Sequence, residues 1–288
     1  MEKIFRKELR FLMSGNLYLV ATPIGNLEDI TLRALKILKE VDLIAAEDTR
    51  NTLKLLNHFE ISKPLISYHR HNEEIKCDNL ITKLQDGENI AIVSDAGTPG
   101  ISDPGEIIVK KAIENNIKII PIPGACAAIN ALICSGLDTR QFTFLGFLPL
   151  NKKLRKEKLE EIKNKKDTVI LYEAPHKLKN TLQDLKNILD NRQVVLAREL
   201  TKIHEEFIYG TINEIIEKAD NLKGEMIILI EGNSMAFSSA ENELNSLSFN
   251  EHFEYYKNLG FDKKEIIKKI AKDRGLNKNE VYMKFLEK

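Results

Sequence analysis

The chain has 288 residues, of which 43% are apolar and 30% charged, an ordinary composition for a globular protein of about two domains. Its formal net charge is +0, so any nucleic-acid binding has to come from local basic patches. No apolar run approaches the roughly 18 residues of a membrane span, and the start of the chain lacks the apolar block of a secretory signal. The three cysteines, Cys77, Cys126 and Cys134, show neither even pairing nor metal-ligand spacing, which favours a reducing cytoplasm.

The chain is predicted to begin with an N-terminal extension, residues 1–16. Two interpretations of it stay open. In one, Met13 is the true start of the protein. In the other, the residues before Met13 form an extra helical turn on the surface.

The first half of the chain alternates short apolar runs with amphipathic segments, which is typical of a parallel sheet flanked by helices. Because the carboxyl ends of parallel strands meet at one edge, the loops that follow the five predicted strands should form a single rim. Strands are predicted at 17–21, 43–46, 65–67, 90–93 and 117–120, and helices at 31–41, 53–59, 75–85 and 107–115.

The rim loop at residues 94–105, called the glycine loop below, is the most unusual stretch of the sequence. It combines three glycines, two prolines and two aspartates directly after a buried strand. Glycine permits backbone conformations closed to other residues and lets a ligand approach the main chain. We therefore expect the loop to bind a ligand, with Asp95 as its main polar contact.

After Ala125 the pattern changes, and strands partly follow one another without a helix between them, so a mixed sheet is expected. We place a domain boundary near Gly124, which gives α/β domains at 17–124 and 125–233. The predicted strands are 141–144, 168–172, 193–197, 206–209 and 226–230, and the predicted helices are 126–134, a charged segment after 150, 178–189 and 214–219.

The C-terminal part is predicted to be a polar linker, residues 234–248, and a helical tail module, residues 249–288. Two short helices that begin at Asp262 and Asn277 give the tail the shape of a helix-turn-helix.

Several common motifs are absent from the sequence. There is no Walker loop, dinucleotide fingerprint, H-E-x-x-H, C-x-x-C or G-x-S-x-G, so neither a metal site nor a serine hydrolase is expected.

Seven motifs follow one another along the chain: V-A-T-P-I-G-N-L at 20–27, E-D-T-R at 47–50, the glycine loop, P-G-A at 123–125, G-F-L-P at 146–149, Y-E-A-P-H at 172–176 and R-E-L-T-K at 198–202. Together they resemble the ribosomal RNA small-subunit methyltransferase I family, over roughly residues 17–232. Two positions depart from the expected pattern: Ala174 stands where serine is expected, and Lys177 where arginine is expected.

This resemblance implies two α/β domains of the tetrapyrrole-methylase type, with S-adenosylmethionine in the cleft between them. It implies methylation of a cytidine 2′-hydroxyl in 16S ribosomal RNA, either in naked RNA or in the small ribosomal subunit, by a homodimeric enzyme without a metal. The expected cofactor contacts are Pro23, Ile24, Asp95, Gly97, Thr98, Ile101, Ser102, Ala125, Cys126, Ala127 and Tyr172.

A ribose hydroxyl is a poor nucleophile near neutral pH, so a general base or a stabilising cation should lie close to it. Among the polar side chains of the rim we favour Glu47, Glu199 and Lys202 as catalytic residues. The expected RNA contacts are Arg50, His69, His71, His176, Lys177 and Arg198.

Two basic segments are further candidates for holding RNA. Residues 151–166 carry 8 Lys/Arg against 3 Asp/Glu, and residues 257–288 carry 10 against 5. A solvated helix face and a small packing module are the competing interpretations.

Two other functions are weighed against RNA methylation. A tetrapyrrole methyltransferase would share the fold, but the basic segments and the E-D-T-R motif disfavour it. A non-catalytic RNA-binding assembly factor would have no use for the intact glycine loop with Asp95.

Overall fold

The structure is a computed structural model that describes residues 14–189, 191–220, 222–233, 244, 247–274 and 276–286. Most of the predicted N-terminal extension (1–16) and most of the predicted linker (234–248) lie outside the described residues. None of the described helices has the length and apolar character that crossing a membrane requires.

The first domain is built on a fully parallel five-stranded sheet, as predicted. The strand order is β3-β2-β4-β1-β5, and Pro121 is tolerated because β5 is an edge strand. The strands are β1 (Asn16–Val20), β2 (Leu43–Ala46), β3 (Leu65–Ser67), β4 (Ile90–Val93) and β5 (Lys118–Ile122).

Four helices cover the two faces of this sheet: α1 (Leu32–Glu40), α2 (Thr49–His58), α3 (Glu73–Gln85) and α4 (Glu106–Glu114). Helices α1 and α2 pack on one face, and α3 and α4 pack on the other. The prediction that α2 begins at residue 53 was wrong by four residues. The helix starts at Thr49 because the side chain of Asp48 caps it by accepting the backbone N–H of Arg50.

The second domain contains a mixed five-stranded sheet in the order β6-β7-β10-β8-β9, which confirms the predicted sheet type. Only the β6–β7 pair is parallel. The elements in chain order are α5 (Ala127–Ile133), β6 (Phe142–Phe147), α6 (Lys152–Asn164), β7 (Thr168–Glu173), α7 (Leu178–Leu189), β8 (Gln193–Arg198), β9 (Glu206–Thr211), α8 (Ile212–Lys218) and β10 (Met226–Ile230).

Helices α6, α7 and α8 cover one face of this sheet, while α5 packs on the other face together with Ile24 of the first domain. The boundary near Gly124 stays a prediction: the first sheet closes at Ile122, and α5 already belongs to the core of the second.

Strand β6 is longer than the predicted 141–144 because it continues through a bulge between Phe144 and Gly146. Gly146 has φ +63°, and a Cβ there would lie 3.0 Å from the Oγ atom of Ser102 in the glycine loop. The glycine therefore permits both the bulge and the close approach of the two domains.

The described part of the tail contains three helices, not the two that were predicted: α9 (Phe249–Asn258), α10 (Lys263–Asp273) and α11 (Lys278–Leu286). Helix α9 was missed although Ser248 and Glu251 form a capping box at its start. The three helices share a small apolar core that includes Tyr256, Ile270 and Val281.

Candidate active site

A cavity of about 390 Å³ lies between the two domains. Its volume is within the range of about 300–1,000 Å³ that is usual for small-molecule sites. Rim loops of the first sheet form one wall, and residues at the ends of β6, β7 and β10 contribute to the other.

The glycine loop is joined to the first and fifth rim loops by hydrogen bonds. The backbones of Thr22 and Gly97 exchange two of them, with N···O distances of 2.8 and 3.0 Å. The hydroxyl of Thr98 donates to the carbonyl oxygen of Ala125 at 3.0 Å. Gly97 has φ +83°, and a Cβ there would lie 3.2 Å from a methyl carbon of Ile24, so a side chain would crowd the cavity wall.

The glycine loop is also joined to the second and third rim loops. The Oδ1 atom of Asp95 accepts the backbone N–H of Asp48 at 3.0 Å, and its Oδ2 atom accepts the amide of Asn51 at 3.1 Å. The guanidinium of Arg70 donates to the carbonyl oxygen of Ser102. Each carboxylate oxygen has two acceptor sites, so Asp95 can still accept from a ligand.

Tyr172 forms part of the opposite wall. Its phenol oxygen accepts the backbone N–H of Ala128 at 3.2 Å, and its ring packs edge-on against Phe144 and Phe147. Burial raises the pKa of the phenol to about 12, so it stays neutral at physiological pH.

Five carboxyl side chains line the cavity, namely Glu47, Asp95, Asp103, Glu173 and Glu225. Burial raises the pKa of Glu47 and outweighs the hydrogen bond from the backbone N–H of Asp95, which lowers it, while the charge of the Asp95 side chain raises it further. Burial, followed by the charge of Glu47, raises the pKa of Asp103 to about 6. The site therefore holds concentrated negative charge, and two of its carboxyls have raised proton affinity.

Most of the predicted cofactor contacts line this cavity, namely Ile24, Asp95, Gly97, Thr98, Ile101, Ser102, Cys126, Ala127 and Tyr172. Ala125 does not line the cavity, but its carbonyl oxygen accepts the hydrogen bond from the hydroxyl of Thr98, which does. Pro23 lines a neighbouring cavity of about 250 Å³, which shares Asp95 with the first.

Of the three predicted catalytic residues, only Glu47 lines the cavity. Glu199 and Lys202 form an ion pair of 2.9 Å beside it, and Leu200 between them reaches the cavity wall. A Cβ on Gly25 would lie 2.5 Å from the Lys202 side chain, so this loop packs directly on the first domain. The catalytic role of the pair stays a prediction.

The predicted RNA contacts are spread around the rim. Arg50 is exposed but forms a 2.6 Å ion pair with Asp48, and Arg198 forms a 2.6 Å ion pair with Glu206. The histidines His71 and His176 are exposed, His69 is half-buried against His71, and Lys177 lies at a groove described below.

Several residues that line the cavity were not predicted from the sequence as cofactor contacts or catalytic residues. Asp103 stood inside the glycine loop, but nothing in the local sequence distinguished it as a cavity residue. Glu173 was one of the polar side chains expected on the rim, but it was not among the three favoured catalytic residues. Glu225 and Ile227 had no motif at all, and they reach the cavity because β10 lies in the middle of the second sheet.

Within the described ranges, no group of three or more His, Cys, Asp or Glu side chains is arranged to hold a metal ion.

The residues at the cavity fit S-adenosylmethionine. This cofactor carries a positive sulfonium and an ammonium group, which the acidic side chains of the cavity complement. Apolar side chains such as Ile24, Phe147 and Leu200 provide surface for its adenine ring.

Comparison with known proteins matches residues 16–216 to the profile of the Tetrapyrrole (Corrin/Porphyrin) Methylases. Ribosomal RNA small subunit methyltransferase I of Halalkalibacterium halodurans is 54% identical over 270 residues, which cover 93% of this chain and 93% of that protein. The protein of the same name from Bacillus subtilis is 50% identical over 271 residues, with 93% of each chain covered.

Solved structures share the fold at low sequence identity. A diphthine synthase superposes with a TM-score of 0.59 at 13% identity, over 75% of this chain and 90% of its own. Uroporphyrin-III-C-methyltransferase from Thermus thermophilus superposes with a TM-score of 0.53 at 20% identity, over 75% and 94%.

Fold, cavity and family profile together define an S-adenosylmethionine-dependent methyltransferase of the tetrapyrrole-methylase class. Within that class, the chain belongs to the ribosomal RNA small subunit methyltransferase I family. The fold class, the cofactor and the family expected from the sequence are thereby confirmed.

The raised pKa of Asp103 predicts a pH-dependent stability difference between the wild-type protein and the variant Asp103→Asn. Between the unfolded pKa of 3.8 and the folded pKa of about 6, the folded state keeps a proton that the unfolded state has lost. The wild type should therefore lose stability as pH rises through this window, while an amide at 103 cannot titrate.

Urea denaturation of both proteins at about pH 4, 5.5 and 7 measures the effect. The free energy of unfolding of the wild type should fall relative to that of the variant as pH rises. A difference that stays constant across the three pH values would contradict the assigned environment of Asp103.

Proposed function

We propose that this enzyme transfers a methyl group from S-adenosylmethionine to the 2′-hydroxyl of a cytidine in 16S ribosomal RNA. The observation that carries the proposal is the cavity between the domains, where carboxyl groups of raised pKa lie in the pocket that suits the cofactor. The names of the relatives that are 54% and 50% identical support ribosomal RNA as the substrate.

When bound, S-adenosylmethionine supplies an electrophilic methyl group. The chain's own task is to orient the ribose in line with that methyl group and to accept the proton of the attacking hydroxyl. Apolar side chains from both domains, including Ile24 and Phe147, line the cavity in which this reaction would take place.

Glu47 and Asp103 are our candidates for the general base. Both line the cavity, and both have a raised pKa, which makes them stronger proton acceptors than ordinary carboxylates. Glu199 has the opposite property, because its hydrogen bond with Lys202 lowers its pKa. For the Glu199–Lys202 pair we propose a positioning role: it fixes the loop that carries Leu200 into the cavity wall.

Two competing functions predict different substrates. A tetrapyrrole methyltransferase would act on a macrocycle and ignore RNA. A non-catalytic assembly factor would bind RNA and transfer no methyl group, which leaves the carboxyl-lined cavity without a purpose.

We also propose that the enzyme is a cytoplasmic homodimer. All three cysteines are free thiols, which suits a reducing compartment. Helix α5 exposes Ile129 and Ile133, with 41% and 65% of their surface accessible, so an apolar face is available for a second copy.

Analytical ultracentrifugation tests the dimer. Sedimentation at twice the chain mass is expected for the wild type, and Ile133→Glu should shift it towards the monomer. A monomeric wild type would refute the dimer.

The function is tested by calorimetry with S-adenosylmethionine, followed by methyl incorporation into naked 16S RNA and into assembled small subunits. We expect the cofactor to bind and at least one RNA substrate to be labelled, while a tetrapyrrole acceptor is not. Cofactor binding without transfer to RNA would favour the assembly factor.

Glu47→Gln removes a candidate base while it keeps the shape of the side chain. If Glu47 accepts the proton, kcat should fall by about 10²- to 10⁴-fold, with cofactor affinity changed only a few-fold. Glu114→Gln, at an exposed position on α4, serves as the matched control and should behave like the wild type. A normal kcat in Glu47→Gln would transfer the role to Asp103, which the same assay tests with Asp103→Asn.

Glu199→Ala leaves Lys202 with only its longer 3.8 Å contact to Glu225, and Lys202→Ala removes the ion-pair partner of Glu199. We expect both variants to lose methyl transfer while calorimetry still detects cofactor binding. Unchanged turnover in both variants would remove the pair from the active site.

A further inference from the structure

A groove of about 550 Å³ runs between helices α6 and α7 of the second domain. Four cationic side chains and one carboxylate line it: Lys152, Arg155, Lys156, Lys177 and Asp184. Apolar side chains, among them Leu150 and Ile188, complete its surface. Of the eight basic residues in segment 151–166, only Lys152, Arg155 and Lys156 line this groove.

The single acidic group of this groove is already paired. Arg155 donates from Nε to Oδ2 of Asp184 at 2.7 Å, with only 18% of the arginine side chain exposed. For Lys152, Lys156 and Lys177, no carboxylate lies within ion-pair distance in the part of the chain that the structure describes. The groove therefore presents about three uncompensated positive charges.

A chain of buried hydrogen bonds connects the groove to the active-site cavity. Arg155 donates from Nη2 to the hydroxyl oxygen of Thr181 at 2.8 Å, and that hydroxyl donates to Oε2 of Glu173 at 2.5 Å. Oε1 of Glu173 accepts the backbone N–H of Ala174 at 2.8 Å. Glu173 is 5% exposed and lines the cavity, so groove and cavity share a wall whose polar groups are held by several partners.

The path between the two sites is short. Pro175 still lines the cavity, and Lys177 at the end of the same 3₁₀ turn, Pro175–Lys177, already lines the groove. Three residues span about 6 Å in a 3₁₀ helix and about 10 Å when extended.

We propose that the groove between α6 and α7 is a phosphate-binding subsite for the single-stranded RNA that flanks the target nucleotide. Lys152, Lys156 and Lys177 bind backbone phosphates there, and Arg155 is a positioning residue that fixes α6 against α7. The proposal rests on the proposed function, because it requires that an RNA ribose enters the cavity. The contacts are to phosphate, so the subsite sets the position of the strand and carries no base preference.

The test compares the variant Lys152→Gln/Lys156→Gln with the wild type, using a fluorescent single-stranded RNA of mixed sequence. Each phosphate contact to a single strand contributes about 0.7 to the slope of log affinity against log salt. The double variant should therefore lower that slope by about 1.4 and weaken binding by about 10- to 30-fold at 0.1 M salt. In methyl-transfer assays, KM for RNA should rise while kcat and cofactor affinity stay unchanged.

Lys153→Gln/Lys163→Gln is the matched control, because it removes the same charge from exposed positions of α6 that do not line the groove. Its salt slope should equal that of the wild type. Equal losses in both double variants, or no loss in either, would overturn the subsite. Methyl incorporation by the wild type is read separately: its absence refutes the proposed function, whatever the two slopes show.

Discussion

The glycine loop is hydrogen-bonded to each of the other four loops on the rim of the first sheet, and the site depends on this arrangement. Thr22, Asp48, Arg70 and Ala125, one from each loop, meet it through backbone or side-chain bonds. A fifth contact crosses to the second domain, where Gly146 lets the bulge of β6 approach the loop. The loop thus determines both the shape of the cavity and the distance between the two sheets.

This arrangement explains why the predicted site residues divide into two groups. Residues of the glycine loop and of the first rim loop line the cavity because parallel strands bring their carboxyl ends together, which the sequence pattern indicates without any structure. Glu199 and Lys202 lie beside the cavity because they pair with each other and pack against Gly25. A sequence motif marks such residues as candidates for the site, but it does not show whether their side chains line the cavity or lie next to it.

Most elements of the fold follow from local patterns of apolar residues. The short strands β2, β3 and β4 lie where they were predicted, and the mixed second sheet followed from strands without intervening helices. The predicted bounds were wrong where capping or tertiary contacts set the ends of an element. The cap at Asp48 starts α2 earlier than predicted, and the bulge at Gly146 extends β6. Helix α9 was missed because it begins at the edge of a polar stretch. Glu225 could not be found from sequence, since only the central place of β10 brings it to the cavity.

The two domains have separate tasks in this account. We propose that the first holds the cofactor with its rim loops and supplies Glu47 or Asp103 as the proton acceptor. The second closes the cavity with Tyr172 and Leu200, and its groove between α6 and α7 carries the positive charge that a nucleic acid requires. A chain of formal net charge +0 can hold RNA in this way because its charge is concentrated locally.

The central claim is that the methyl group is transferred to a cytidine ribose in small-subunit ribosomal RNA. It is tested most directly by digesting the methylated RNA to nucleosides and identifying the labelled product by mass spectrometry. The labelled nucleoside should be 2′-O-methylcytidine, with the added mass on the ribose fragment. A methyl group on a base, or no labelled nucleoside under conditions where the cofactor binds, would contradict it.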